Sequence, residues 1–242
     1  MGVITFNNIT SSSLGIEVET FPNYEAPEKE YQITHVPGRN GDLVVDTKTF
    51  QNVPRSYEVS VATRNSETFT QKMNAVAEWL HSASGYARLE DTYEPNYYRM
   101  AYYSESIAFE NLFNEAGKAT LNFVCKPQRY LKSGETPVVF TEEGTIQNGT
   151  RFSSSPVLKV TTNNTQGSVS IGNHTIAIKA GAGTNQITID CELQDAWSGT
   201  TNKNSFIILT DGEFPVIDPG TQTVTFDGGV QSVEVIPRWW TV

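Results

Sequence analysis

The chain has 242 residues, 27 acidic against 17 basic side chains, and a net charge of −10. That length can enclose a sizeable core without disulfide or metal support, and the acidity argues against nucleic acid, whose phosphates need a basic stripe. The first 130 residues carry 11 basic and 16 acidic side chains and the remainder 6 and 11, so each part stands at −5 and neither hides a basic face.

Cys125 and Cys191 are far apart, each inside an apolar alternating run, and read as buried small hydrophobes rather than a bridge. No apolar run is long enough to span a membrane, and the opening residues lack the basic, apolar and small-residue order of a signal peptide. The expectation is a chain folded in a cytosol, with no membrane insertion. The Asn-x-Thr triplets at Asn8, Asn148, Asn163 and Asn173 are then chance matches.

Residues 31–36 (YQITHV) alternate with period two and stop at the glycine-rich turn Pro37-Gly38-Arg39-Asn40-Gly41-Asp42. Residues 43–45 follow, then a polar interval, then a second alternating run at 57–61. This is the pattern of antiparallel strands with polar side chains facing water at every second position. One helix is predicted over about 68–82. Thr68 and Gln71 form a candidate capping box, Phe69, Met73, Val76 and Leu80 recur at helical spacing, and Gly85 closes the run. Residues 86–103 hold six tyrosines and two arginines, a composition suited to contact surfaces or to half-buried strand faces.

Two more strands are predicted at 106–110 and 119–124, around a turn at 114–117. Pro127 is expected to interrupt the ladder because proline donates no strand hydrogen bond. The breaker-rich segment 132–137 reads as a linker, which divides the chain into 1–132 and 133–242. The second part has no convincing helix. Seven short strands are predicted at 157–161, 168–171, 175–178, 186–190, 206–209, 223–226 and 232–236, with turn signals between them that include Asp227-Gly228-Gly229. That spacing indicates a sandwich of the jelly-roll or immunoglobulin-like kind.

Residue types that could carry chemistry do not converge. His35, His81 and His174 lie in unrelated elements, and no nucleophile elbow occurs. Gly181-Ala182-Gly183 lacks the remaining signals of a phosphate loop and reads as a hairpin turn. Asp190 and Glu192 could pair as glycosidase carboxylates, or join Asp195 as calcium oxygens. Carboxylates on the solvated face of a strand explain them without a site. Trp197 is the candidate aromatic platform for a sugar. Of the adjacent Trp239 and Trp240, one must face the core. No catalytic residue, metal ligand or cofactor is expected.

The chain resembles the distal tail proteins of long-tailed, non-contractile bacteriophages. The matching residues run through most of it: Phe6-Asn7, Leu14-Gly15-Ile16, the 36–43 turn, Glu78-Trp79-Leu80, Tyr86 to Leu89, and the string Asp91, Thr92, Tyr93, Pro95, Tyr97, Tyr98, Arg99. They continue through residues 123–127, Tyr130-Leu131, Ile189-Asp190-Cys191, Phe214-Pro215, Pro219-Gly220 and Pro237-Arg238-Trp239-Trp240. The resemblance implies a mainly β fold in two domains. The first, 1–132, would be a ring-forming β-sandwich with one helix and a hairpin. The second, 133–242, would be a galectin-like or jelly-roll β-sandwich, in the short form without an inserted carbohydrate-binding module.

It further implies a structural, non-enzymatic protein whose homohexameric ring joins the tail tube to the tail tip. The partners would be further copies of itself, the major tail tube protein, tail-tip proteins and receptor-binding proteins, and the place the virion tail tip, assembled in the bacterial cytoplasm. Arg39, Asn40, Tyr97, Tyr98 and Arg99 are the candidate ring or partner contacts. A module recognising host cell-surface glycans, with Trp197 as platform, is the alternative.

Overall fold

The computed structural model describes residues 2–63, 68–112 and 116–242. Their contacts divide into two units, residues 1–129 with Val242 and residues 130–241. The protein is mainly β, with one α-helix among the described residues, as the sequence indicates.

The first unit contains β1 (Ile4–Phe6), β2 (Ile9–Thr10), β3 (Ile16–Val18), β4 (Lys29–Thr34), β5 (Leu43–Phe50), β6 (Val53–Ala62), α1 (Phe69–Leu80), β7 (Ala87–Asp91), β8 (Tyr97–Tyr102), β9 (Glu110–Leu112) and β10 (Ala116–Leu131). One sheet runs β2-β1-β7-β8-β10-β6-β3, with β9 also on β10. It curls until Gly2, ahead of β1, bridges Val18 of β3 at the other end through hydrogen bonds of 3.3 and 3.2 Å. Closure of this kind satisfies edge groups that an open sheet would leave unpaired.

Strict alternation in β6 sends Val53, Arg55, Tyr57, Val59 and Val61 inward. Opposite them, Leu121, Phe123 and Cys125 of β10 are fully buried. Helix α1 covers this core with Val76, Trp79 and Leu80, and the Trp79 indole N–H donates to the Phe6 carbonyl at 3.1 Å. The capping box is present: Thr68 Oγ1 accepts from Gln71 N, and Thr68 N donates to Gln71 Oε1.

Three local expectations change. The helix ends at Leu80 with His81 as its C-cap, well before Gly85. Strand β9 holds only the end of the predicted 106–110 run, and part of the predicted 114–117 turn lies outside the described residues. Pro127 does not end β10. Pairing with β6 stops at Cys125, opposite Val53, and the strand then continues through the proline to Leu131.

The second unit contains β11 (Val138–Phe140), β12 (Gly144–Asn148), β13 (Val157–Ile171), β14 (His174–Ile178), β15 (Ile187–Asp190), β16 (Asp195–Ser198), β17 (Thr201–Asn202), β18 (Ile207–Leu209), β19 (Gly220–Ile236) and β20 (Trp240–Thr241). Two of these are long and lie side by side, β13 and β19, with register shifts around Thr161, Thr162 and Gly167. Each serves two groups of strands. β19 pairs β11 through 233–235 and β12 through 220–224, while β13 pairs β15 through 157–160 and β14 through 167–171.

Leu158, Val160, Ile187, Ile189 and Val233 come from one end of this pair, and Val169, Ile171, Ile176, Ile178 and Val224 from the other. All belong to one buried cluster. A bulge kinks a strand and increases its twist, and the strands on both sides of these shifts belong to one nine-stranded sheet around a single core. The Gly181–Gly183 turn is not a hairpin, because the strands it connects both pair with β13.

Candidate interaction surface

Strands β4 and β5 form a separate two-stranded sheet, and among the described residues they pair only with each other. Antiparallel pairing sets Tyr31 opposite Asp46, Gln32 opposite Val45, Ile33 opposite Val44 and Thr34 opposite Leu43. Paired residues share a face, so Tyr31, Ile33 and Val44 line one side of the hairpin and Leu43 and Val45 the other. None is covered: Ile33 is 63% exposed, Val44 55%, Tyr31 49%, Val45 48% and Leu43 42%. The alternation therefore does not divide buried from solvated positions as expected. Both faces of this arm are open and both carry apolar side chains.

Local hydrogen bonds hold the arm. Lys29 pairs with Asp46 at 2.6 Å, and the Thr47 hydroxyl donates to the Glu30 carbonyl at 2.7 Å. Lys48 takes a left-handed backbone at φ 61°, its N–H donating to Asp46 Oδ1 across a register shift. At the tip, Arg39 N donates to Val36 O at 3.2 Å with Gly38 at φ 81°. Proline followed by a glycine at positive φ is the chemistry of a type II turn. The His35 imidazole meets Asp42 at 3.1 Å across the base of this turn. Arg39 and Asn40 stand at the extremity, both exposed.

The structure places Tyr97, Tyr98 and Arg99 differently. They open β8, behind a loop organised by Asp91. One Asp91 oxygen accepts from the N–H groups of Tyr93 and Glu94 at 3.0 and 2.8 Å. The other accepts from Arg55 at 3.0 Å and the Tyr57 hydroxyl at 2.7 Å. Glu94 accepts from Arg55 at 3.2 Å, Arg99 at 2.6 Å and Arg129 at 2.8 Å. The Arg129 guanidinium lies 4.4 Å from the Tyr97 ring centre, and that of Arg88 3.8 Å from Tyr98. Arg99 retains 11% of its side-chain exposure.

Burial pushes the Asp91 carboxyl up, but the hydrogen bonds from Tyr57 and Arg55 outweigh it and hold the group below its usual range. The Tyr57 phenol is pushed well up, first by burial and then by the Asp91 charge. The carboxylate stays ionised and the phenol stays protonated, its hydroxyl donating to Asp91. Sequence reasoning singled out the tyrosine string without Arg55, Tyr57 or Arg129, which complete it. An arginine at an inward position of β6 was the available signal.

Elsewhere the candidate residues separate. Trp197, on β16, is half-buried, flanked by Thr188 and Asn202 on its neighbouring strands. Asp190 is 3% exposed and takes both guanidinium nitrogens of Arg238, so it does not stand on a solvated face. Burial raises its carboxyl, and the Arg238 bonds bring it below the usual range. Glu192 lies past the end of β15 and meets Arg238 at 3.5 Å. Both cysteines are free, with thiols pushed by burial to about 12. Trp239 is the tryptophan that packs on the core, while Trp240 stacks on Phe152 at 4.4 Å.

Residues 8–125 match the family model described as the phage tail protein RIFT-related domain. The first unit is thus similar to a phage tail domain. The fold of the whole chain agrees with it. The chain is similar to the crystal structure of the Dit protein of phage SPP1, described as a paradigm of the hub adsorption apparatus in phages infecting Gram-positive bacteria. That likeness has a TM-score of 0.76 at 12% identity and covers 100% of both chains. Chains of the phage p2 baseplate in its activated conformation are also similar, at 12% identity. The strontium form gives a TM-score of 0.58 over 97% of this chain and 96% of that one, and the calcium form 0.60 over 97% of each. No curated protein sequence matches the chain. The resemblance to siphophage distal tail proteins is thereby upheld in fold.

Proposed function

We propose that this protein is the distal tail, or baseplate hub, component of a siphophage-type tail. In this reading copies of the chain form a homohexameric ring that joins the major tail tube protein to the tail-tip and receptor-binding proteins, for attachment to the host. Its place is the virion tail tip, assembled in the bacterial cytoplasm, and its role is structural rather than enzymatic. The first domain, 1–132, makes the ring.

The observation that carries this reading is the β4–β5 arm. A two-stranded hairpin is marginal alone in water, and a contiguous apolar surface open on two faces marks a site that a partner covers. A ring needs a heterologous contact, one patch on each copy meeting a different patch on the next, that closes by rotation. A projecting arm with Arg39 and Asn40 at its tip suits the reaching half of such a contact. The likeness over the full length of a hub protein supports the same assignment.

Light scattering and native mass spectrometry of the purified chain test it. A closed multiple of the monomer mass, six copies, is expected. A chain that stays monomeric alone and also when mixed with its tail-tube and tail-tip neighbours overturns it.

A further inference from the structure

The chain contains two Asn-Gly steps, Asn40-Gly41 and Asn148-Gly149, and the fold treats them in opposite ways. Asn148 is 2% exposed. Its Nδ2 donates to the carbonyls of Phe152 and Ile217, each at 2.9 Å, and its Oδ1 accepts from Thr150 N at 2.9 Å and Thr150 Oγ1 at 2.7 Å. Every rotation of that amide breaks a bond.

Asn40 is exposed at the tip of the arm. Among the described residues neither its amide nor the Gly41 N–H has a hydrogen-bond partner. Gly41 sits at φ 77°, with open space where a Cβ would stand. The glycine is exposed, and no side chain stiffens the step.

We infer that Asn40 is a site of spontaneous deamidation in the folded protein, while Asn148 is protected by the fold. Solvent base takes the Gly41 amide proton and the nitrogen attacks Asn40 Cγ. The new N–Cγ bond closes a five-membered imide, the Cγ–Nδ2 bond breaks, and the nitrogen leaves as ammonia with a proton returned from solvent. Water then opens the imide at either carbonyl, leaving aspartate or isoaspartate at position 40. No electrons change hands and water is the sole co-reactant.

Either product places a new carboxylate between Arg39 and Asp42, and the isoaspartate also lengthens the backbone of the turn by one methylene. That this would alter assembly rests on the ring reading above. The chemistry rests on the single chain alone and stands or falls separately.

Peptide mapping by mass spectrometry of the full chain tests it, after incubation at mildly alkaline pH either folded or in urea. In the folded chain, position 40 is expected to convert at least about tenfold faster than position 148, which reacts only through local opening. In urea the two rates should converge. The Asn40→Gln variant should lose the fast conversion while position 148 keeps its slow one. Equal rates at the two positions in the folded chain overturn the inference. So does an Asn40 that stays intact when folded yet converts in urea.

Discussion

Asp91 gathers a guanidinium, a phenol and two backbone N–H groups onto one carboxylate that is 3% exposed. Its carboxyl titrates below the ordinary value of 3.8, because the bonds from Tyr57 and Arg55 exceed the effect of burial. A group depressed in the folded state stabilises fully above its unfolded pKa, and that contribution fades as pH falls through the folded one. Stability should therefore decline on the acid side, beginning near 3.8. Asp91→Asn leaves Arg55 short of a charge partner and is expected to cost about 3 kcal/mol at neutral pH, discounted because Glu94 remains. It should also flatten the acid-side slope. Urea unfolding at neutral and acidic pH measures both effects, and an unchanged slope would remove Asp91 from the account.

Arg238 poses a related case. It holds φ at 56°, a conformation that side chains other than glycine seldom adopt. In return it clamps buried Asp190, and its N–H donates to the Gly134 carbonyl at 2.8 Å. Arg238→Lys keeps the charge and loses the planar fork. A loss of about 2 kcal/mol is expected, close to that of Arg238→Ala, in denaturant titrations.

At the scale of elements, the sequence showed most where local chemistry decides. The capping box of α1 formed as Thr68 and Gln71 indicate, and β6 alternates from Val53 to Ala62. It misled where a strand outlasts its own turn signals. Residues 157–161 and 168–171 belong to one strand, as do 223–226 and 232–236, so four predicted strands are two. Gly228 and Gly229 look like turn residues but, with Gly167, serve the close approach of β13 and β19. A Cβ on Gly229 would stand 2.3 Å from Thr165 O, and one on Gly167 2.6 Å from Asp227 O.

A sequence window cannot tell a glycine that turns the chain from one that lets two backbones touch, because the second needs the partner strand. Gly229→Ala should therefore destabilise the second unit by about 1–3 kcal/mol, in the range of overpacking. Thermal unfolding followed by near-UV dichroism would show it, and a neutral result would mean that the bulge shifts to make room. The short strands β11, β12, β16 and β17 escaped prediction for a different reason. Each runs five residues or fewer, and their order comes from pairing with β19 or within the β15-β16-β17 ladder.

For the molecule as a whole, the candidate site was partly legible. The Pro37–Asp42 turn marked the arm, but its exposure could not be read from alternation, which predicts a covered face. The tyrosine string was legible as a marker of the family and not as a network, because Arg55, Tyr57 and Arg129 lie outside it. Tyr97→Ala with Arg99→Ala is accordingly a poor probe of the ring, since it strips partners from Arg129 and Glu94 inside the fold.

The arm offers a cleaner one. Ile33 and Val44 are a cross-strand pair, 63% and 55% exposed. Replacing them as Ile33→Lys with Val44→Glu removes apolar surface and puts opposite charges in register, which holds the two strands together. Exposed substitutions of this kind alter monomer stability by roughly 0.5 kcal/mol or less, so Tm should stay within a few degrees. If the arm seats on the neighbouring copy, both side chains pass from water into that contact, and losing them should weaken assembly at least about tenfold. Sedimentation velocity across a concentration series separates the outcomes: a folded monomer where the parent chain forms a ring supports the arm as the contact, and a ring of unchanged strength moves the contact elsewhere.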